Sequence, residues 1–263
     1  MPDSNNIIRH ANDSHDPASA EQAIREIDLL LHSETNAQER AGLLMNKAVL
    51  YGVLKRFDDA RAELARALQD SDDPDTRLIH DYIDGTLYHQ EKRQAEAFRR
   101  LTEVTLKYAA RLKCPDMRST YEDIQTQRAF EAADLKNYGD AVPLLTEILS
   151  FELTKEDKAT ALAYLGLSCY QTKRYEAARE YLLLACALEQ PPKWRGMIHL
   201  YLALAYAQLR LLEESRQQLL LCEEHAAEWG LSIRNVYGWL SRICGYLGET
   251  LKAKEYGRLA KGN

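Results

Sequence analysis

Few side chains in this 263-residue sequence stand at spacings that could do chemistry. His80 and Asp84 are four residues apart, so a helix would carry both on one face and could offer two ligands to a metal ion. A catalytic zinc needs three protein ligands, and no second pair at ligand spacing accompanies them. Simple pairing on a helix surface is therefore the expected role. His80-Asp81 has two letters of a metal-dependent phosphohydrolase site without its further His and Asp, and Cys222-Glu223-Glu224-His225 is not the HExxH of a zinc protease. No Gly-rich phosphate loop, GxSxG elbow or zinc-ribbon spacing occurs. Cys169, Cys222 and Cys244 fall on packing positions, Cys186 lies beside one, and Cys114 alone is expected in an exposed turn. Five cysteines without a CxxC suit a reducing cytoplasm better than a disulfide framework. No catalytic residue, metal or cofactor is expected, and the chain does not read as an enzyme.

Charge narrows the partners. Lys and Arg number 34 against 40 Asp and Glu, a net charge of −6, so the phosphate backbone of a nucleic acid finds no basic excess to bind. The longest apolar runs, Tyr181 to Leu188 and Tyr201 to Ala207, are too short to cross a bilayer. The start, Met1-Pro2-Asp3-Ser4-Asn5-Asn6, has neither the basic residues nor the apolar stretch of a secretory leader, and a cytoplasmic protein is expected. Only 12 Gly and 7 Pro over this length disfavour an all-β architecture, which needs many turns.

The elements that would position any site follow from a repeat. One column of small residues reads Ala11, Ala48, Gly85, Ala129, Gly166, Ala203, Ser241, with steps of 37, 37, 44, 37, 37 and 38. A second, always 12 residues later, reads Ala23, Ala60, Ala97, Ala141, Ala178, Ser215, Ala253. Four beyond it stand Ile27, Leu64, Leu101, Leu145, Leu182 and Leu219, and three further on Leu30, Ala67, Val104, Ile148, Ala185, Cys222 and Ala260. That i, i+4, i+7 pattern is the apolar stripe of an α-helix. Stretches such as Lys55-Arg56-Phe57-Asp58 turn the chain between the two columns, and Asp72-Asp73-Pro74, Cys114-Pro115-Asp116 and Pro191-Pro192 end the units. Capping boxes are expected at Ser19 with Gln22 and at Thr154 with Asp157. Each unit is thus two helices, with small residues where their backbones approach. An all-α array results.

Two ends and one step are irregular. The 44-residue step predicts one added turn on each of two antiparallel helices meeting at Cys114-Pro115. Residues 1–17 are expected to be a tail or a degenerate first helix, and residues 18–263 a single array. The last unit has Thr250 and Gly257 where large residues belong, with Trp229 and Trp239 nearby to compensate. Its final helix offers Tyr256 and Leu259 among Lys252, Lys254, Arg258 and Lys261. An array end normally carries a polar cap, so a homodimer through the C-terminal helices is expected.

Leu165-Gly166, Tyr175, Ala178, Leu182, Ala185 and Pro191 resemble the signature of the tetratricopeptide repeat (TPR), as do Leu44, Tyr51, Phe57, Ala60, Leu64, Ala67 and Pro74. The resemblance covers nearly the whole chain and implies a right-handed α-α superhelix, here six helix pairs after a partial one. Units of 37 rather than 34 residues resemble those of bacterial signal-peptide receptors and some transcriptional regulators. In this family the first helix of each unit lines a concave groove at positions −3, +1 and +4 from the first small residue. That implies a partner site at Met45, Val49, Tyr82, Thr86, His89, Thr126, Phe130, Leu167, Tyr170, Leu200, Leu204 and Arg242. Nearly all are uncharged, so the groove is apolar, and the family's carboxylate clamp is not visible. The expected function is an interaction module binding a peptide or helix of a protein partner. Tyr82, Phe130, Tyr170 and Leu204 would anchor it. A peptide-responsive regulator is the alternative.

Overall fold

The computed structural model describes residues 17–262, of which none lies in a β-strand. The expected tail, with Ala11 of the first small column, lies outside the described residues except for Pro17, which already opens a helix. The chain divides into two compact units, one ending at Glu131 and the other beginning at Ala132.

In the first unit, α1 (Pro17–Ser33) precedes two helix pairs, α2 (Ala37–Val53) with α3 (Phe57–Asp70) and α4 (Pro74–Gln90) with α5 (Gln94–Lys107). A one-turn helix, α6 (Ala109–Leu112), and a 3-10 turn (Pro115–Met117) lead into α7 (Arg118–Asp134). The second unit takes up the end of α7 and continues with α8 (Tyr138–Ile148). Three pairs follow: α9 (Lys155–Gln171) with α10 (Tyr175–Cys186), α11 (Pro192–Gln208) with α12 (Leu212–Glu224), and α13 (Ile233–Tyr246) with α14 (Thr250–Lys261).

Local chemistry sets the helix starts. The Asn36 side chain accepts the amides of Gln38 and Glu39 at 2.9 and 3.2 Å, and Asp73 those of Asp75 and Thr76 at 2.9 and 3.1 Å, satisfying donors that the first turn leaves over. The Thr76 hydroxyl first, then that of Ser71, and those amides hold the Asp73 carboxyl down at about 2 against a smaller opposing effect of burial. Thr154 caps α9 as expected, accepting the Asp157 amide at 3.0 Å and donating its hydroxyl to the Asp157 carboxylate at 2.7 Å. Ser19 does not cap. Pro17 has no N–H to satisfy and a preset φ, so α1 starts there and Ser19 lies inside it.

The two small columns are the contact between paired helices. Ala48, Gly85, Ala129, Gly166 and Ala203 are buried, as are Ala60, Ala97, Ala141, Ala178 and Ser215. A Cβ on Gly166 would stand 2.6 Å from Cγ of Leu182, and one on Gly85 2.8 Å from Cδ2 of Leu101. Where serine replaces alanine, its hydroxyl spans the 12-residue offset: Ser215 donates to the Ala203 carbonyl at 2.8 Å and Ser241 to that of Ala253 at 2.7 Å. Gly257 likewise leaves room for Ser241, whose Oγ would lie 3.3 Å from an added Cβ. The turns inside the units have a feature the sequence did not announce. Lys55, Lys92, Lys136, Lys173 and Arg210 all adopt φ of 58–62°, the left-handed region that usually takes glycine, and Gly248 takes the sixth turn.

The 44-residue step is accommodated differently from the expectation. Neither flanking helix is longer than its counterparts, since α5 has 14 residues like α3, and α7 has 17 like α2 and α4. The extra residues form α6 and the 3-10 turn instead. Arg111 holds this insert by donating to both oxygens of Asp75 at 2.7 Å and to Asp116, so a pinned corner replaces the two added helical turns. At the other end, α14 buries no residue, and Leu251 is 83% exposed.

Candidate functional site

A cavity of about 510 Å3 opens in the second unit, walled by Tyr138, Tyr164, Trp194, Tyr201 and Trp229 and floored by Leu167, Met197 and Leu231. Its size falls in the range of sites that accept a small ligand or a few side chains. Tyr164 and Leu167 project from α9, Trp194, Met197 and Tyr201 from α11, and Trp229 and Leu231 from the segment before α13. Ala133, Gly230, Lys136, Lys193 and Asp134 complete the lining.

Four of the five rings have specific partners. Trp194 meets Tyr164 edge to face, with centroids 4.7 Å apart, and Tyr164 donates its hydroxyl to Asp134. Tyr170 meets Tyr201 edge to face at 5.3 Å, and Gln171 donates to the Tyr201 hydroxyl at 3.3 Å. Trp229 is buried between two imidazoles, His199 at 5.0 Å and His225 at 4.8 Å, both nearly parallel to the indole. His199 in turn bonds Gln218 through Nδ1 at 2.7 Å. Burial, and secondarily the neighbouring Tyr201, pushes the Tyr138 phenol above its ordinary pKa, so it stays a neutral hydrogen-bonding group. Walls fixed in advance cost a ligand little ordering entropy.

The expected groove residues divide between the units. In the first, Met45 is 5% exposed and belongs to the core, and Val49 packs against it. Burial pushes the Tyr82 phenol up to about 12, with the charge of Asp123 adding to it. Thr86 donates to the Tyr82 carbonyl at 3.2 Å and to Gln127 at 3.1 Å, and His89 bonds the buried Glu131 carboxylate through Nδ1. Thr126 and Phe130 are half-buried. These side chains fasten α4 to α7. In the second unit, Leu167 lines the cavity and Tyr170 supports its Tyr201 wall. Leu200 packs on the Ala203–Leu219 core and Leu204 is buried. Arg242 lies over the Trp239 ring at 4.7 Å from its centroid. Sequence reasoning passed over Tyr138, Tyr164, Trp194, Met197, Tyr201 and Trp229 as wall or floor residues. A signal existed: Tyr164 and Tyr201 both stand two residues before the small column, one step from the positions the resemblance directed attention to.

The other chemical candidates resolve into packing. His80 faces Asp81 at 3.1 Å rather than Asp84, which pairs with Arg100 at 3.1 Å and Arg61 at 3.7 Å. Among the described residues, no three His, Cys, Asp or Glu side chains converge as a metal site. Burial pushes the thiol of Cys222 up to about 12 and that of Cys186 to about 11, away from the reactive thiolate. No described helix is long and apolar enough to cross a membrane.

Helix pairs in this order, joined through facing small columns, make this a TPR-type fold. The chain superposes on RapI in its apo form with a TM-score of 0.65 and 13% identity, covering 98% of this chain and 74% of that one. Against the C-terminal part of a TPR repeat-containing protein from Cytophaga hutchinsonii the score is 0.61 at 15% identity, over 96% and 93% of the two chains. YrrB, a TPR protein with an unusual peptide-binding site, gives 0.54 at 15% identity over 70% and 85%. At such identities the likeness establishes the fold alone. No family model matches the sequence, and no curated protein matches it.

Proposed function

We propose that this chain is a protein-interaction module whose second unit seats a peptide segment of a partner in the aromatic cavity. The observation that carries this reading is the set of five rings around about 510 Å3, four of them held by ring or hydrogen-bond contacts. YrrB, of the same fold, bears a peptide-binding site, which supports the class of ligand. The anchor is a bulky apolar side chain, since large apolar groups desolvated in a preformed pocket dominate binding. Lys136 and Lys193 add positive charge, while Asp134 already accepts from Tyr164. An Asp or Glu beside the anchor completes the fit. Leu167, Tyr170 and Leu200 would extend the contact along α9 and α11.

The test is selection from a displayed random-peptide library, followed by binding of the winners to variants. Winners are expected to share an aromatic or large aliphatic residue next to an acidic one. Trp194→Ala should weaken them about thirtyfold, roughly 2 kcal/mol, and Lys136→Glu with Lys193→Glu about tenfold. Winners that bind both variants as tightly as the parent would sink the assignment.

A further inference from the structure

The second helices of the last three repeats carry leucines on their outward side. Five and six residues after the second small column stand Leu183 and Leu184 on α10 and Leu220 and Leu221 on α12, with Arg258 and Leu259 on α14. All five leucines are exposed, Leu184 at 54%. The same two positions hold Ala65 and Arg66 on α3, Thr102 and Glu103 on α5, and Thr146 and Glu147 on α8. The apolar strip is thus a property of α10, α12 and α14.

Its charge changes sign along its length. Exposed Glu176 and Glu180 flank the leucines of α10, and exposed Glu213 and Glu224 those of α12. On α14 the exposed charges on the side of Leu259 are Lys252 and Arg258, with Glu255 the one acid among them. We infer that this face pairs with the same face of a second copy about a two-fold axis at α12. A half-turn about that axis carries the acidic α10 of one copy onto the basic α14 of the other, twice over, while the α12 leucines meet at the centre. Such a patch is self-complementary, as an isologous contact requires. It also covers α14, none of whose residues is fully buried within its own chain. Pairing α14 with itself alone would oppose like charges.

Sedimentation equilibrium of the full chain tests this directly. The wild type is expected to be a dimer at about 50 µM that dissociates as salt rises, because its cross-chain pairs are solvent-exposed. Leu184→Glu with Leu221→Glu should raise the dimer dissociation constant at least tenfold while circular dichroism stays unchanged. A basic-to-acidic set, Lys252→Glu with Arg258→Glu, and an acidic-to-basic set, Glu176→Lys with Glu180→Lys, should each give a monomer. Mixing the two sets should restore a dimer. A wild-type monomer, an assembly larger than two, a leucine variant that stays dimeric, or a mixture that stays monomeric would each overturn the pairing.

Discussion

Counted from the first small residue of a repeat, the positions four before, fifteen after and twenty-two after hold Asp81, Arg100 and Lys107 in the first unit and His199, Gln218 and His225 in the second. In the first unit they make an ionic cluster. Asp81 is buried and accepts from Arg100 at 2.8 Å, Lys107 at 3.0 Å and the Tyr108 hydroxyl at 2.9 Å. In the second unit the triplet is an imidazole clamp, His199 and His225 gripping Trp229. Of the two repeats between them, the one at Gly166 fills the same positions with Leu162, Tyr181 and Leu188, packed as hydrocarbon. One backbone geometry accepts three chemistries because the small columns alone fix how the helices meet. The first unit has spent these positions on cohesion, drawing Lys107 and Tyr108 over Asp81 just before the insert. The second has spent them on bracing a wall of the cavity.

Removing the centre of each cluster would show how far the two solutions differ. Trp229→Ala should cost about 3–5 kcal/mol in chemical denaturation, the usual loss for a buried large aromatic, and should abolish peptide binding with it. Asp81→Ala should cost about 2–4 kcal/mol, because it leaves Arg100 and Lys107 facing a low-dielectric gap; their partial exposure keeps it from the top of the buried-pair range. If Asp81→Ala weakens peptide capture as much as Trp229→Ala does, the division between cohesion and bracing is wrong.

Acid should separate the units further. Burial opposes ionisation of Asp81, but hydrogen bonds from Lys107, His80 and Tyr108 and the charge of Arg100 outweigh it, leaving its pKa below the ordinary value. A carboxyl depressed in the folded state contributes stability above its unfolded pKa of about 4 and loses it as the pH falls through the folded value. Asp73, held at about 2, behaves likewise. Protection of the α4 and α5 amides, taken relative to their intrinsic exchange rates, should therefore fall between about pH 4 and pH 2, and Asp81→Asn should flatten that limb. The smallest effect should be common to both units. Lys55→Gly and Lys173→Gly relieve a left-handed lysine but free the unfolded chain, a net gain of about 0.5 kcal/mol each. Unequal gains would mean that the turns are not equivalent.

The sequence made the scaffold legible because its determinants are local and periodic. Ala48 to Ala60 or Gly166 to Ala178 must be small wherever two helix backbones touch, whatever partner the array has. The insert was misplaced because periodicity sees Leu101 to Arg111 as continuous helix, whereas Arg111, drawn between Asp75 and Asp116, favours a break after Lys107. The cavity was half legible. Leu167 and Tyr170 fell within the family's lining positions, but Trp194 and Trp229 come from a repeat's first turn and from an inter-repeat segment, which no column tracks. Thr86 and His89 looked available because the sequence does not show Gln127 and Glu131 arriving from another helix.

The left-handed lysines give the chain a set of internal gauges. Trypsin cuts after Lys and Arg, but only in backbone it can draw out into an extended strand. At Lys55 that backbone is wound back on itself, its amide bonded to the Gly52 carbonyl at 2.9 Å and the Arg56 amide to Tyr51 at 2.8 Å. The other cationic turns are wound the same way, so each scissile bond is shielded until its own turn opens. Cleavage rates after Lys55, Lys92, Lys136, Lys173 and Arg210, taken under native conditions, would read the opening free energy of five successive turns without altering a residue.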